Sequence, residues 1–84
     1  MNREQIQEKL YKIIAEIFGV KIEDINLDSN FQNDFSADSL DAVELIMQIE
    51  DEFKVERIND DEADNFLTVK NILEYIENEL LDSN

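Results

Sequence analysis

The 84-residue sequence contains no cysteine, no histidine and no proline, and it has a single glycine. Without cysteine the chain has no disulfides and no thiolate metal ligands, so the redox compartment is left open. Without histidine it lacks the commonest general base and the commonest zinc ligand. Long apolar runs are missing too, so we expect neither a membrane span nor a signal peptide.

Basic residues are also scarce. Seven Lys and Arg stand against 22 Asp and Glu, which gives a net charge of −15, and residues 22–53 contain ten acids and no base. Such a charge repels nucleic acid and anionic lipid and attracts basic protein surfaces. The acidic residues could serve only to keep the protein soluble. Because they are clustered in one stretch, binding to a basic partner is the favoured interpretation. With 43% hydrophobic residues, the chain is expected to fold.

Three stretches have the spacing of apolar residues that is typical of amphipathic helices. The first covers residues 3–18 and is followed by Gly19, a candidate for the left-handed residue that ends a helix. The second begins at Asp38, whose side chain can cap it, and continues to Phe53. The third follows Thr68, which is another candidate cap.

The segments between these helices lack such a period. Residues 20–37 scatter apolar side chains among Asp, Asn and Ser, which predicts a long loop pinned to the core, with a short turn near residues 21–25. Residues 60–66 are expected to form a short, acid-rich helix. The sequence therefore predicts a single all-α domain over residues 1–84. This domain is a four-helix bundle with three principal helices, one short helix and a long loop between the first and second helices.

The helix that begins at Asp38 carries two apolar stripes. One has the spacing of a core-facing stripe and consists of Ala42, Leu45, Ile46, Ile49 and Phe53. The other, here called the outer stripe, lies about 130° away and consists of Leu40, Val43 and Met47. Glu44 and Asp51 flank the outer stripe, and burying them without a partner would be costly. An exposed contact surface is therefore favoured over a helix that is buried on two sides.

Catalytic chemistry is poorly supported by these residues. Ser39 has no histidine to activate it, so an intrinsic serine enzyme is not expected. A pair of carboxylates could act as acid and base, but nothing indicates a pocket that would raise the pKa of one of them. We therefore do not expect an enzyme.

A calcium loop is suggested by the alternating Asp24, Asn26 and Asp28, which have the spacing of the first EF-hand ligands. The sixth position of such a loop would be Ser29 instead of glycine, and the twelfth would be Phe35 instead of glutamate. The pattern fails at both positions, so no designed metal site is predicted.

Ser39 lies in the first turn of the central helix, where free backbone N–H groups and the helix dipole favour a phosphate ester. Serine is also common at helix starts for structural reasons alone. The position of Ser39 is therefore consistent both with a serine that carries a phosphate ester and with a purely structural one.

The run Asp38-Ser39-Leu40, followed by Asp41-Ala-Val-Glu44-Leu-Ile-Met47 and by the acidic residues 50–52, resembles the acyl carrier proteins of type II fatty-acid synthesis. The resemblance extends over nearly the whole chain. It implies that Ser39 carries a phosphopantetheine arm, which a separate phosphopantetheinyl transferase attaches from coenzyme A. The thiol of the arm would carry growing fatty-acyl chains as thioesters between fatty-acid synthesis enzymes.

The resemblance also implies two groups of site residues. Those that would recognise basic patches on partner enzymes are Asp38, Leu40, Asp41, Val43, Glu44, Met47, Glu50 and Asp51. Those that would surround an acyl-chain cavity are Leu45, Ile46, Ile49, Ile58, Ala63 and Phe66. A monomer in the bacterial cytoplasm is expected, or in an organelle if a transit peptide has been removed.

The chain departs from the family pattern at two places. Ser36 and Lys54 stand where the family usually has glycine, and the Ile-Pro pair that usually precedes the third helix is missing. Carriers of polyketide, aminoacyl or D-alanyl pathways are alternatives within the family. An acidic helical interaction module that is never modified is the alternative outside it.

Overall fold

The computed structural model describes residues 2–55 and 58–81, where the regular secondary structure is helical apart from one isolated β-bridge. The helices are α1 (Arg3–Phe18), α2 (Phe31–Phe35), α3 (Ser39–Phe53), α4 (Asp60–Ala63) and α5 (Val69–Leu81), and a 3-10 turn spans Ile22–Asp24. The predicted all-α fold with three principal helices is confirmed. Within the described residues, none of the helices has the length and apolarity needed to cross a membrane.

One helix, α2, was not predicted. It has only five residues, too few to show a helical period, and it starts because the Asn30 side chain accepts hydrogen bonds from the backbone N–H groups of Gln32 and Asn33. The short turn predicted near residues 21–25 is present as the 3-10 turn. The connector after α3 was expected to depart from the family, but Glu56 and Arg57 lie outside the described residues.

The ends of α1 follow from local sequence. Asn2 caps its start, and Gln5 returns a hydrogen bond to the Asn2 backbone, which together make a capping box. Gly19 ends the helix at φ 66°, as predicted, and donates its N–H to the carbonyl of Ala15. Glycine reaches this left-handed conformation without the steric cost that a Cβ brings.

The core lies where α1 packs against α3 and α5. Its most deeply buried side chains come from these three helices: Ile6, Leu10, Ile14, Ile49, Val69, Ile72 and Ile76. The predicted core-facing stripe of α3 is buried at Leu45, Ile49 and Phe53 and half-buried at Ile46. Ala42 was predicted to face the core and is exposed, because the first turns of α3 border a surface opening instead of another helix.

The long loop is fastened to the start of α5. The N–H groups of Val69 and Lys70 donate to the carbonyls of Ser29 and Leu27 at 3.1 and 3.0 Å, and Phe31 donates to the carbonyl of Leu67 at 3.2 Å. The first N–H groups of a helix have no acceptor within the helix. The carbonyls of the loop accept two of these N–H groups, which would otherwise bind water. The loop that leads to Ser39 is thereby held in place.

Thr68 caps α5 as predicted. Its hydroxyl accepts the N–H of Asn71 at 3.3 Å, and the side-chain oxygen of Asn71 accepts the N–H of Thr68 at 3.0 Å. This reciprocal pair fixes the point where the loop bonds to the helix.

Candidate functional site

The start of α3 is capped by two acids. The Asp38 carboxylate accepts the N–H of Asp41 at 2.9 Å, and the Asp41 carboxylate accepts the N–H of Asp38 at 3.2 Å. This capping box confirms the predicted role of Asp38 and sets the residue at which the helix begins.

Ser39 is the first residue of α3 and is exposed. In the described part of the chain, the backbone N–H groups of Ser39 and Leu40 have no protein acceptor. These N–H groups and the positive end of the helix dipole favour a phosphate ester on the Ser39 hydroxyl. The nearby capping carboxylates oppose a further negative charge, but the exposure of Ser39 lets water screen that repulsion. The site therefore fits an attached phosphodiester.

The approach to Ser39 is set by the end of α2. Ser36 adopts the left-handed conformation at φ 55°, and its N–H and that of Ala37 both turn back to the carbonyl of Phe31. The family usually has glycine at this place, and glycine reaches the left-handed conformation without steric cost. Ser36 adopts this conformation although it carries a Cβ.

The outer stripe is exposed, as predicted. Leu40, Val43 and Met47 are 78%, 55% and 61% exposed, which is unusual for large apolar side chains on one helix face. Together with Glu44, Gln48, Glu50 and Asp51 they line a shallow groove along α3. The described structure does not cover this groove with another helix, so it is available to a partner.

Glu50 has a second contact that was not foreseen. Its carboxylate accepts the backbone N–H of Ile58 at 2.6 Å, and the side chain is half-buried. Sequence reasoning assigned Glu50 to partner recognition alone. The chain turns back after Phe53 and brings Ile58 beside the last turns of α3, so Glu50 also holds the connector.

A cavity of about 260 Å³ opens beside Ser39. Of the six residues predicted to surround an acyl-chain cavity, four line it: Leu45, Ile46, Ala63 and Phe66. Ile49 and Ile58 do not line this cavity, because both side chains are packed in the core. The mouth is formed by exposed residues, among them Ala42 and Leu67.

Several cavity residues were missed by sequence reasoning. Phe18, Phe31 and Ile72 come from α1, α2 and α5, and their own helical patterns mark them only as apolar. The aromatic residues of the long loop were predicted to pin it to the core. The local sequence does not indicate which of them borders a cavity.

Aromatic rings brace this cavity on two sides. The ring centroids of Phe18, Phe31 and Phe35 lie 5.5–5.9 Å apart, and Phe66 meets Tyr75 edge-on at 5.4 Å. Burial raises the pKa of Tyr75, and the nearby carboxylates of Glu62 and Glu79 raise it further.

Comparisons with known proteins agree with this geometry. The family model described as "Phosphopantetheine attachment site" matches residues 8–76. Acyl carrier protein 2 of Pseudomonas aeruginosa is 47% identical over 74 residues, which cover 88% of this chain and 92% of that protein. A solved structure of the acyl carrier protein from Enterococcus faecalis is 33% identical and has a TM-score of 0.80. The match covers 94% of this chain and 99% of that chain.

Proposed function

Because this chain belongs to the family of phosphopantetheine-bearing acyl carrier proteins, we propose that Ser39 is the residue that carries the phosphopantetheine arm. The proposal is supported by one observation above all: Ser39 is an exposed hydroxyl on the first turn of α3, beside the mouth of the apolar cavity. Ser29 is buried, and Ser36 is held in the turn before the helix.

Attachment requires a separate transferase. The Ser39 oxygen attacks the phosphorus that carries the pantetheine half of coenzyme A, and a new phosphodiester bond forms. The pyrophosphate bond breaks, adenosine 3′,5′-bisphosphate leaves, and the hydroxyl proton passes to a base of the transferase. The sequence has no histidine and no cysteine, which supports a carrier that is a substrate of enzymes and not itself a catalyst.

The arm supplies a thiol that holds acyl groups as thioesters. We assign fatty-acyl chains as its cargo because the cavity beside Ser39 is walled by Leu45, Ile46, Phe31 and Phe66. Apolar walls favour alkyl chains, whereas aminoacyl and D-alanyl groups carry a charged amine that such walls disfavour. Polyketide intermediates remain the alternative cargo within the family.

The outer stripe serves as the docking surface for the enzymes that load and use this carrier. Leu40, Val43 and Met47 offer exposed apolar contact area, and the carboxylates of Glu44 and Asp51 beside them favour basic patches on the partner. Asp38 and Asp41 add charge at the end nearest Ser39. Action as a monomer in the cytoplasm stays a prediction from the sequence.

A second function of a different class is an acidic interaction module that is never modified, and the exposed outer stripe would serve it equally well. Intact mass separates the two functions. The protein is incubated with coenzyme A and a broad-specificity phosphopantetheinyl transferase, and we expect a mass gain of one arm.

Two variants serve as controls for this experiment. Ser39→Ala should stay unmodified although folded by circular dichroism, whereas Ser36→Gly, three residues earlier, should gain the arm like the parent chain. Absence of a mass gain in the folded parent protein would favour the interaction module.

A further inference from the structure

Met47 is the side chain on the outer face of α3 that oxidants attack most readily. The sequence contains no cysteine and no tryptophan, and its two methionines are Met1 and Met47. Met1 lies outside the described residues. The Met47 side chain is 61% exposed, so oxidants dissolved in water can reach it. Exposed methionines are commonly oxidised to the sulfoxide, and the reaction is reversible by dedicated reductases.

Carboxylates flank Met47 on the surface of the helix. Glu44 lies three residues before it and Asp51 four residues after it, at spacings that place side chains next to one another, and both line the same groove. Positive charge develops on a thioether sulfur as it attacks an oxidant, and the neighbouring carboxylates stabilise that charge. The net charge of −15 repels anionic oxidants such as peroxynitrite, but it does not repel hydrogen peroxide, which is neutral. Hydrogen peroxide is therefore the oxidant that this surface favours.

A sulfoxide at Met47 would change the docking surface itself. The outer stripe has only three residues, so Met47 supplies a large share of its apolar contact area. Oxidation converts this flexible apolar side chain into a polar one, and a polar S–O group buried against an apolar partner surface without a hydrogen bond is costly. The sulfoxide oxygen needs a donor, whereas the ionised carboxylates of Glu44 and Asp51 only accept. The groups that flank Met47 thus do not compensate for the lost apolar contact.

We propose that Met47 is a site of reversible oxidation, and that its sulfoxide releases this carrier from the enzymes that dock on α3. The Met47 sulfur attacks one oxygen of hydrogen peroxide, so that an S–O bond forms while the O–O bond breaks. The sulfur loses two electrons, the proton of the attacked oxygen passes to the departing hydroxide, and water leaves. The inference rests on the proposed attachment of the arm at Ser39 and on the proposed docking at the outer stripe. It goes further by assigning a modification to that surface.

The test uses the full chain before the arm is attached, so that no thiol competes for the oxidant. The protein is treated with hydrogen peroxide, catalase removes the excess, and peptide mapping by mass spectrometry measures the sulfoxide at each methionine. The rate at which the phosphopantetheinyl transferase attaches the arm is then measured against carrier concentration. We expect oxidation of Met47 to lower kcat/KM roughly tenfold, mainly through a higher KM.

Reversal of the oxidation is the second readout. The oxidised chain is treated with the two methionine sulfoxide reductases, one for each epimer, and with dithiothreitol, which supplies two electrons and becomes its disulfide. The value of kcat/KM should return to that of the untreated chain. Circular dichroism should show that the oxidised chain is folded, because Met47 is exposed and lies outside the core.

Two variants of the same residue serve as controls. Met47→Leu keeps an apolar side chain of similar size, has no sulfur at this position and retains Met1. Hydrogen peroxide should therefore leave its kcat/KM equal to that of its own untreated sample. Met47→Gln places a polar, uncharged group in the outer stripe. Without any oxidant it should lose about as much of kcat/KM as the oxidised parent chain.

The outcomes separate this inference from the proposed function. If the untreated chain gains no arm, the proposed function fails and the inference fails with it. If the untreated chain gains the arm and the oxidised chain gains it equally fast, the inference is overturned and the carrier function stands. The inference is also overturned if Met47 stays unoxidised, if oxidation unfolds the chain, or if the reductases do not restore the rate. Equal slowing of Met47→Leu and the parent chain by hydrogen peroxide would overturn it as well.

Discussion

Ser36 and Lys54 are single residues in a conformation that usually belongs to glycine. Ser36 ends α2 at φ 55° and Lys54 ends α3 at φ 53°. A side chain with a Cβ pays about 1–2 kcal/mol in this left-handed region. Both residues stand at the positions where the family resemblance leads one to expect glycine. The fold therefore holds both residues in the left-handed conformation and bears the steric cost.

Ser36→Gly and Lys54→Gly should each raise the free energy of unfolding by about 0.5–1 kcal/mol, since glycine removes the steric penalty but loses more backbone entropy on folding. Urea denaturation measures the change. Ser36→Ala and Lys54→Ala retain a Cβ and should bring no such gain. Equal effects of glycine and alanine would show that the conformation carries no strain.

Glu50 connects two elements of the fold. Its carboxylate accepts the Ile58 N–H across the turn that follows α3, and Ile58 is itself buried. The hydrogen bond to a charged group orders the segment that leads into α4, and α4 contributes Ala63 to the cavity wall. Glu50, which lines the groove along α3, thus also contacts the connector that leads to α4.

Removing this acceptor tests whether the hydrogen bond holds the connector. Glu50→Ala should lower the free energy of unfolding by about 1–3 kcal/mol, because a partly buried N–H loses its partner. Glu50→Gln keeps an acceptor oxygen and should cost less. Glu44→Ala, an exposed acid six residues earlier on the same helix, is the control and should change stability by less than about 0.5 kcal/mol. If Glu50→Ala matches Glu44→Ala in chemical denaturation, the hydrogen bond does not hold the connector.

The molecule as a whole is dominated by negative charge. Its net charge is −15, and two ion pairs are found among the described residues. Arg3 meets Glu77 at 2.6 Å across α1 and α5, and Lys9 meets Glu52 at 3.6 Å across α1 and α3. Most carboxylates therefore repel one another over the surface, which destabilises the compact state.

Salt should relieve this repulsion. The Debye length falls from about 30 Å at 0.01 M to about 3 Å at 1 M, so the melting temperature should rise by roughly 5–10 °C over that range of sodium chloride. Divalent cations should act at lower concentrations. Calorimetry measures the shift, and Glu44→Gln should raise the melting temperature at low salt but not at high salt. A melting temperature that does not change with salt would contradict the prediction.

Several features were predictable because they depend on neighbours along the chain. The helix ends at Gly19, Asp38 and Thr68 follow from capping chemistry within a few residues. The exposure of the outer stripe followed from periodicity together with flanking carboxylates that had no basic partner nearby. The Asp-Ser-Leu run with its acidic helix was enough to indicate the family.

Other features depend on residues that lie far apart in sequence. The bond between Lys70 and Leu27, the Glu50 contact with Ile58 and the exposure of Ala42 all require knowing which segments meet. The helical period placed Ile49 correctly on the core-facing side of α3, whereas the family resemblance placed it among cavity residues that it does not join. Short-range periodicity and capping thus determined the three principal helices, and the Ser39 motif could be read directly from the sequence. The cavity, its aromatic walls and its volume were decided by tertiary structure, because a cavity is the space left between elements that only packing brings together.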